Sequence, residues 1–309
     1  MNYETDYRQF VDSEEPLNTI LEKDWAFYGQ CGLEYPFLYA TPDPNREDYF
    51  ARPYSEDPLQ RLDIHHLKTP EKKKRPVIFY IHGGGWTNED KSNTRFVAHD
   101  WIKNGYTVVS INYRLSPNVT HPAIIEDCAK ALKWVQENIH DYGGNPNQIC
   151  VIGHSAGGHL AALLVTGAKW HKKYDIDIKK VKCWIPLSGI HDFNLPENYM
   201  PPMLNAAIIA MLGGEENKVE CSPVSHITGN EPPCLILHGG DDWLVPKTNS
   251  IELHDKLIEK GAKDARLYIV KGYAHCNMIL GFERPGHKPA ELINEYLDEM
   301  LPTCEGKKL

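Results

Sequence analysis

From residue 61 onward, short apolar runs alternate with longer amphipathic stretches, and this alternation constrains the fold more than any other feature of the chain. Runs at 61–67, 76–82, 107–112, 148–153, 181–187, 234–239 and 265–270 read as strands. Stretches at 94–104, 122–142, 156–169, 246–260 and 289–301 carry helical spacing, and 72–75 is a basic surface turn. Strands joined through helices run parallel, because only a long crossover returns the chain to the same end of the sheet. Helices then cover both faces, which suits runs such as 76–82 that are apolar with little alternation. The expectation is an α/β fold with a mostly parallel sheet of about eight strands flanked by helices. Sites in such sheets lie beyond the carboxyl ends of the strands.

Two regions break the pattern. Residues 1–60 are acidic, aromatic (Trp25, Phe27, Tyr28, Tyr35, Phe37) and punctuated by proline. They read as an arm that packs on the 61–309 domain or helps to cap its pocket. Within that domain, 190–233 holds Phe193, Met203 and the apolar run 206–212 between prolines and glycines. It reads as an insertion above the strand ends, a lid or pocket wall; the alternative is a surface helix without substrate contact.

Net charge narrows the partners. The 309 residues carry a formal charge of −9, which argues against a nucleic-acid surface. The longest apolar stretch falls far below the ~20 residues of a membrane span. The N-terminus lacks the basic and apolar segments of a secretory leader. Of the cysteines, Cys150, Cys183 and Cys234 sit within or beside apolar strands, where free thiols are commonly buried. Reduced thiols and a cytoplasmic setting are therefore expected. Metal catalysis is not expected: His65 and His66 are adjacent on a strand and face opposite sides, and no zinc-ligand spacing occurs.

Two glycine-framed motifs end strands. Gly153-His154-Ser155-Ala156-Gly157 follows the 148–153 run and opens a helix, and His82-Gly83-Gly84-Gly85-Trp86 follows the 76–82 run. The first can present Ser155 as a nucleophile on a sharp strand-to-helix turn. A serine hydroxyl needs a base within reach and a group to orient that base. His275 follows the last strand and is the candidate base. Asp242 follows the preceding strand and is the candidate acid, with Asp241 its rival. His238 and His287 are weaker bases, and His154 is expected to point away from the serine. The backbone N–H groups of Gly83, Gly84 and Ala156 are candidate donors to an oxyanion. Cys276, beside His275, either borders the site or packs. Trp86, Phe193, Met203 and Trp243 are candidate pocket walls.

These motifs, with Tyr113-Arg114-Leu115-Ser116-Pro117, Glu126-Asp127, Asp242 and His275, make the chain resemble an α/β-hydrolase of the esterase/lipase group related to hormone-sensitive lipase. There is one departure. Those esterases usually carry Gly-Asp-Ser-Ala-Gly, and this chain has His154 in place of the aspartate. That variant, with Trp86-Thr87 and Asp90-Lys91, is similar to the branch holding kynurenine formamidases, isoprenylcysteine methylesterases and feruloyl- or acetyl-esterase-like proteins. The resemblance implies the α/β-hydrolase fold and an acyl-enzyme mechanism without a cofactor. It implies a small-molecule ester as substrate. An arylformamidase or other amidase is the alternative, and a non-catalytic ligand receptor a remote one.

Overall fold

The computed structural model describes residues 8–11, 45–68, 74–195, 201–280, 282 and 285–303. The aromatic residues of the 1–60 stretch named above, and Tyr199 and Met200, lie outside them, as do Cys31 and Cys304.

Nine strands form one sheet among the described residues, in the order β1-β9-β8-β7-β6-β4-β5-β3-β2. They are β1 (Arg8–Val11), β2 (Arg46–Pro53), β3 (Arg61–Leu67), β4 (Arg75–Ile81), β5 (Thr107–Ile111), β6 (Gly144–His154), β7 (Val181–Leu187), β8 (Cys234–Gly239) and β9 (Ala265–Val270). Strand β3 pairs antiparallel with both β2 and β5, and the other pairings are parallel. The fold is that of an α/β-hydrolase, with nine strands where about eight were expected. The two strands beyond the seven runs read from the sequence, β1 and β2, come from the stretch read as an arm and close opposite edges of the sheet. Strand β2 is mostly polar and exposed, so its sequence lacks the apolar signature of the central strands.

Period-two alternation divides the core between the faces. In β4, Val77, Phe79 and Ile81 pack on one side, while Ile78 and Tyr80 pack on the other. The first side is covered by α1 (Ala123–Asn138), α2 (Ala156–Thr166) and α3 (Thr248–Glu259). The second is covered by α4 (Arg95–Lys103) and α5 (Lys288–Met300). Helix α2 is buried on all sides, which is why its residues are apolar around its whole circumference.

Three boundaries differ from the sequence reading. The stretch 156–169 breaks at Gly167, where a second short helix, Ala168–Tyr174, begins, because Trp170 packs against the Gly167 backbone. Strand β6 starts at Gly144 rather than 148, since Gly144 already pairs with Arg75. Helix α1 stops at Asn138, and Ile139–Tyr142 tightens into a 3-10 turn ended by Gly143 at φ 76°. Within 190–233, an apolar helix spans Pro202–Leu212 and is followed by short helical turns.

Candidate active site

Sheet order brings the two glycine motifs together. Strands β4 and β6 are neighbours, with Ile81 opposite Gly153, so the loop after β4 and the turn after β6 leave the sheet side by side. A Cβ on Gly83 would lie 3.4 Å from the Ser155 Cβ. Ser155 itself sits at φ 57°, ψ −121°, a conformation that L-residues avoid. Its N–H donates to the Leu187 carbonyl at 2.8 Å, anchoring the turn to β7, and α2 begins at the next residue. The flanking glycines are required by space. A Cβ on Gly157 would lie 2.1 Å from the Ile81 carbonyl oxygen, and one on Gly153 equally close to the Gly157 oxygen. The sharp bend thus comes from three backbones packed in contact.

Tyr113, just past β5, shapes the other half. Its hydroxyl lies 2.9 Å from the Gly83 carbonyl and 3.1 Å from the His82 carbonyl. Its ring stacks on His82, with centroids 4.4 Å apart. Peptide planarity puts each carbonyl opposite the N–H of the next residue. Drawing the His82 and Gly83 carbonyls toward one hydroxyl therefore turns the Gly83 and Gly84 N–H groups together to the opposite side. The Ala156 N–H opens a helix, where no carbonyl one turn earlier can accept it.

The candidate acid and base come from adjacent loops. His275 Nδ1 lies 2.7 Å from Asp242 Oδ2. Both side chains are buried. Asp242 Oδ1 accepts from the Leu244 and Val245 N–H groups at 2.9 and 2.8 Å. His238 Nε2 is 2.9 Å from the Val245 carbonyl and 3.3 Å from Asp242 Oδ2. Two acceptors at Nε2 require the proton there, so Nδ1 accepts from the Ser250 hydroxyl at 2.8 Å. Burial opposes the Asp242 charge, but His275 and His238 outweigh it and hold the carboxyl far below the usual carboxylate range.

Asp241 is occupied elsewhere. It accepts from the Gly272 N–H at 2.6 Å and ties its loop to the one that carries His275. His287 caps α5, accepting from the Ala290 N–H while its Nε2–H donates to the Asn277 carbonyl. His154 points away from Ser155 and reaches the loop of the base: its Nε2–H donates to the His275 carbonyl at 2.8 Å. Burial and the neighbouring His275 push its pKa down to about 3, so it is a neutral donor.

The expected pocket walls separate into two groups. Trp86 is buried, and its indole N–H donates to His159 Nδ1 at 3.1 Å. Phe193 packs edge-on against His159 in the same buried cluster. Met203 is 76% exposed and Trp243 71%. The helix that carries Met203 lies over the loop after β4, with Ala207 Cβ 3.6 Å from where a Cβ on Gly85 would be. Cys276 is half-buried.

Sequence reasoning assigned no role to Tyr113, His238 or His154 in holding these groups. Their signals were present, as a tyrosine two residues past a strand, a histidine at a strand end and a departure from the usual serine motif. None of the three said which distant atom it would meet.

The BD-FAE family model matches residues 62–257. The chain belongs to the BD-FAE family. Its similar proteins include the probable carboxylic ester hydrolase LipM of Mycobacterium tuberculosis, 32% identical over 241 residues, or 74% of this chain and 55% of LipM. The probable isoprenylcysteine alpha-carbonyl methylesterase ICME of Oryza sativa subsp. japonica is 30% identical over 240 residues, 74% of this chain and 58% of that one. This BD-FAE chain thus spans about half the length of the curated relatives it matches. Among solved structures, esterase B from Lactobacillus rhamnosis superposes with a TM-score of 0.73 at 21% identity, covering 91% of this chain and 96% of that one. Thermogutta terrifontis esterase 2 gives 0.70 at 23%, covering 86% and 99%. At these identities the superpositions speak to the fold. No helix among the described residues is long and apolar enough to cross a membrane.

Proposed function

We propose that this chain is a serine hydrolase that cleaves carboxylic esters of small or medium size through an acyl-enzyme. The observation that carries the reading is Ser155 at φ 57° against Gly83, with a buried Asp242–His275 pair at 2.7 Å on loops at the same end of the sheet. Ser155 attacks the ester carbonyl while His275 Nε2 takes its proton. Asp242 keeps the His275 proton on Nδ1, leaving Nε2 as the base, and stabilises the imidazolium that forms. The tetrahedral oxyanion is held by the N–H groups of Gly83, Gly84 and Ala156. His275 returns the proton to the leaving alcohol, and water then repeats the sequence on the acyl-enzyme. No cofactor enters the sequence. The similarity to LipM, a probable carboxylic ester hydrolase, and to ICME, a probable methylesterase, supports an ester over an amide. Free, buried Cys128, Cys150, Cys183, Cys221 and Cys234 suit a reducing compartment, and we place the protein in the cytoplasm.

The test is hydrolysis of p-nitrophenyl esters from acetate to decanoate, with an aryl formamide alongside, by wild type and Ser155→Ala. Turnover on short or medium esters is expected to fall by at least ~10⁴-fold in the variant, with the melting temperature retained. Retention of most activity overturns the assignment. Faster cleavage of the formamide than of any ester moves the chain to the amidases.

A further inference from the structure

The loop after β4 contains a residue that the mechanism above does not use. Glu89 has φ 74°, in the left-handed region where a side chain costs backbone strain. Its neighbours do not explain that cost, since Asn88 and Asp90 are free of it. The turn carries the Glu89 side chain back over the oxyanion loop, with Cγ 3.0 Å from where a Cβ on Gly84 would be. From there the carboxylate is near enough to His275 to interact with it electrostatically. The residue lies at the surface, but burial raises its carboxyl above the ordinary carboxylate value, and His275 opposes that rise. Among the described residues no hydrogen bond or ion pair engages it. The cation in its own loop, Lys91, turns instead to Asp63 and Asp90. A strained backbone therefore holds a carboxyl, without a hydrogen bond or ion pair among the described residues, beside the groups assigned to the oxyanion and the base.

We propose that Glu89 is a specificity-determining residue that favours esters carrying a positive charge near the scissile carbonyl and disfavours esters carrying a carboxylate there. The proposal rests on the serine-hydrolase reading of this site. A fixed charge acts in two ways that can be separated. It supports a positive His275 for every substrate, which scales all rates together. It attracts or repels charge on the substrate itself, which changes only their ratio. In a partly solvated cleft the second effect is on the order of tenfold.

The experiment compares kcat/KM for three thioacetates: acetylthiocholine, its uncharged isostere 3,3-dimethylbutyl thioacetate and S-acetyl-3-mercaptopropionate. Wild type, Glu89→Gln and Glu89→Gly are assayed at low and at 0.5 M salt, with fluorophosphonate labelling of Ser155 run in parallel. Wild type is expected to prefer the cation over the isostere by about tenfold and to reject the anion. Both substitutions should bring the three rates within about twofold of one another, and salt should compress the wild-type ratio. Glu89→Gly relieves the left-handed strain and so guards against loss by misfolding. A cation-to-isostere ratio equal in all three proteins overturns the proposal, and if Ser155 still labels, the hydrolase reading stands. Failure of Ser155 to label or turn over any thioacetate overturns both.

Discussion

The loops after β4 and after β8 each deliver one part of the site, and they are built by different means. In the first, Gly84, Gly85 and Trp86 adopt consecutive positive φ values of 85°, 58° and 59°, and Glu89 adds a fourth at 74°. In the second, 239–246, no residue has positive φ. That loop is shaped by side chains: Asp242 caps two backbone N–H groups, and Asp241 bridges to Gly272. The difference follows from what each loop must present. An oxyanion donor is a backbone N–H, and aiming it requires an unusual backbone. An acid is a side chain, and aiming it requires partners for both of its oxygens.

The comparison can be broken at either loop. The largest effect is expected from Asp242→Asn, about 10⁴-fold in kcat, because the amide disturbs the His275 tautomer. Asp241→Asn should cost less than about tenfold, as it loosens one loop tie. Equal losses in steady-state assays would mean that the β8 loop does not distinguish its two acids.

Gly84→Ala tests the backbone loop. Its Cβ would sit 2.3 Å from the Asn88 carbonyl oxygen at φ 85°. A loss of about 10²–10³ in kcat is expected, with a lower melting temperature. A fully active, equally stable variant would show that the left-handed run is dispensable.

Acid should loosen the β4 and β6 strand ends that frame the serine. Burial holds His82 at about 4, and His154 and His159 at about 3, against an ordinary value of 6.5. These depressed values give stability that is complete above pH ~6.5. It is lost as pH falls toward the folded values, because only the unfolded chain binds the protons. Each histidine contributes about 1.4 kcal/mol per pH unit across that window. Urea midpoints at pH 7, 5.5 and 4 should decline steadily, and a flat profile would count against neutral buried histidines.

The smallest effect is expected from Tyr113→Phe, about tenfold in kcat with KM little changed, since it removes the hydroxyl shared by the His82 and Gly83 carbonyls. An unaltered kcat would leave the donors held by backbone strain alone.

Much of this was legible in the chain. Seven strands were readable, most plainly the central ones such as β4, which are buried on both faces and apolar along almost their whole length. Strands β1 and β2 were not, since an edge strand shares its partner-facing side with solvent and β2 is polar. The sharp serine turn was readable from Gly153 and Gly157, because steric crowding among adjacent residues leaves a local mark. Met203 and Trp243 could be named as apolar residues near the site, but their exposure depends on what packs above them.

By itself the sequence determined the α/β architecture and the order of the candidate serine, acid and base along the chain. It also determined which peptide units could bend without a side chain. These depend on contacts within a few residues, or on periodicity, which repeats in the sequence. The tertiary structure decided that Asp242 rather than Asp241 meets His275. It also decided that His238 buttresses Asp242, that His154 holds the His275 carbonyl from 121 positions away, and that Tyr113 gathers two carbonyls across the β4–β5 boundary. A hydrogen bond between distant segments depends on where the sheet sets each strand end. That placement is a property of the assembled layers, and no single residue's neighbours encode it.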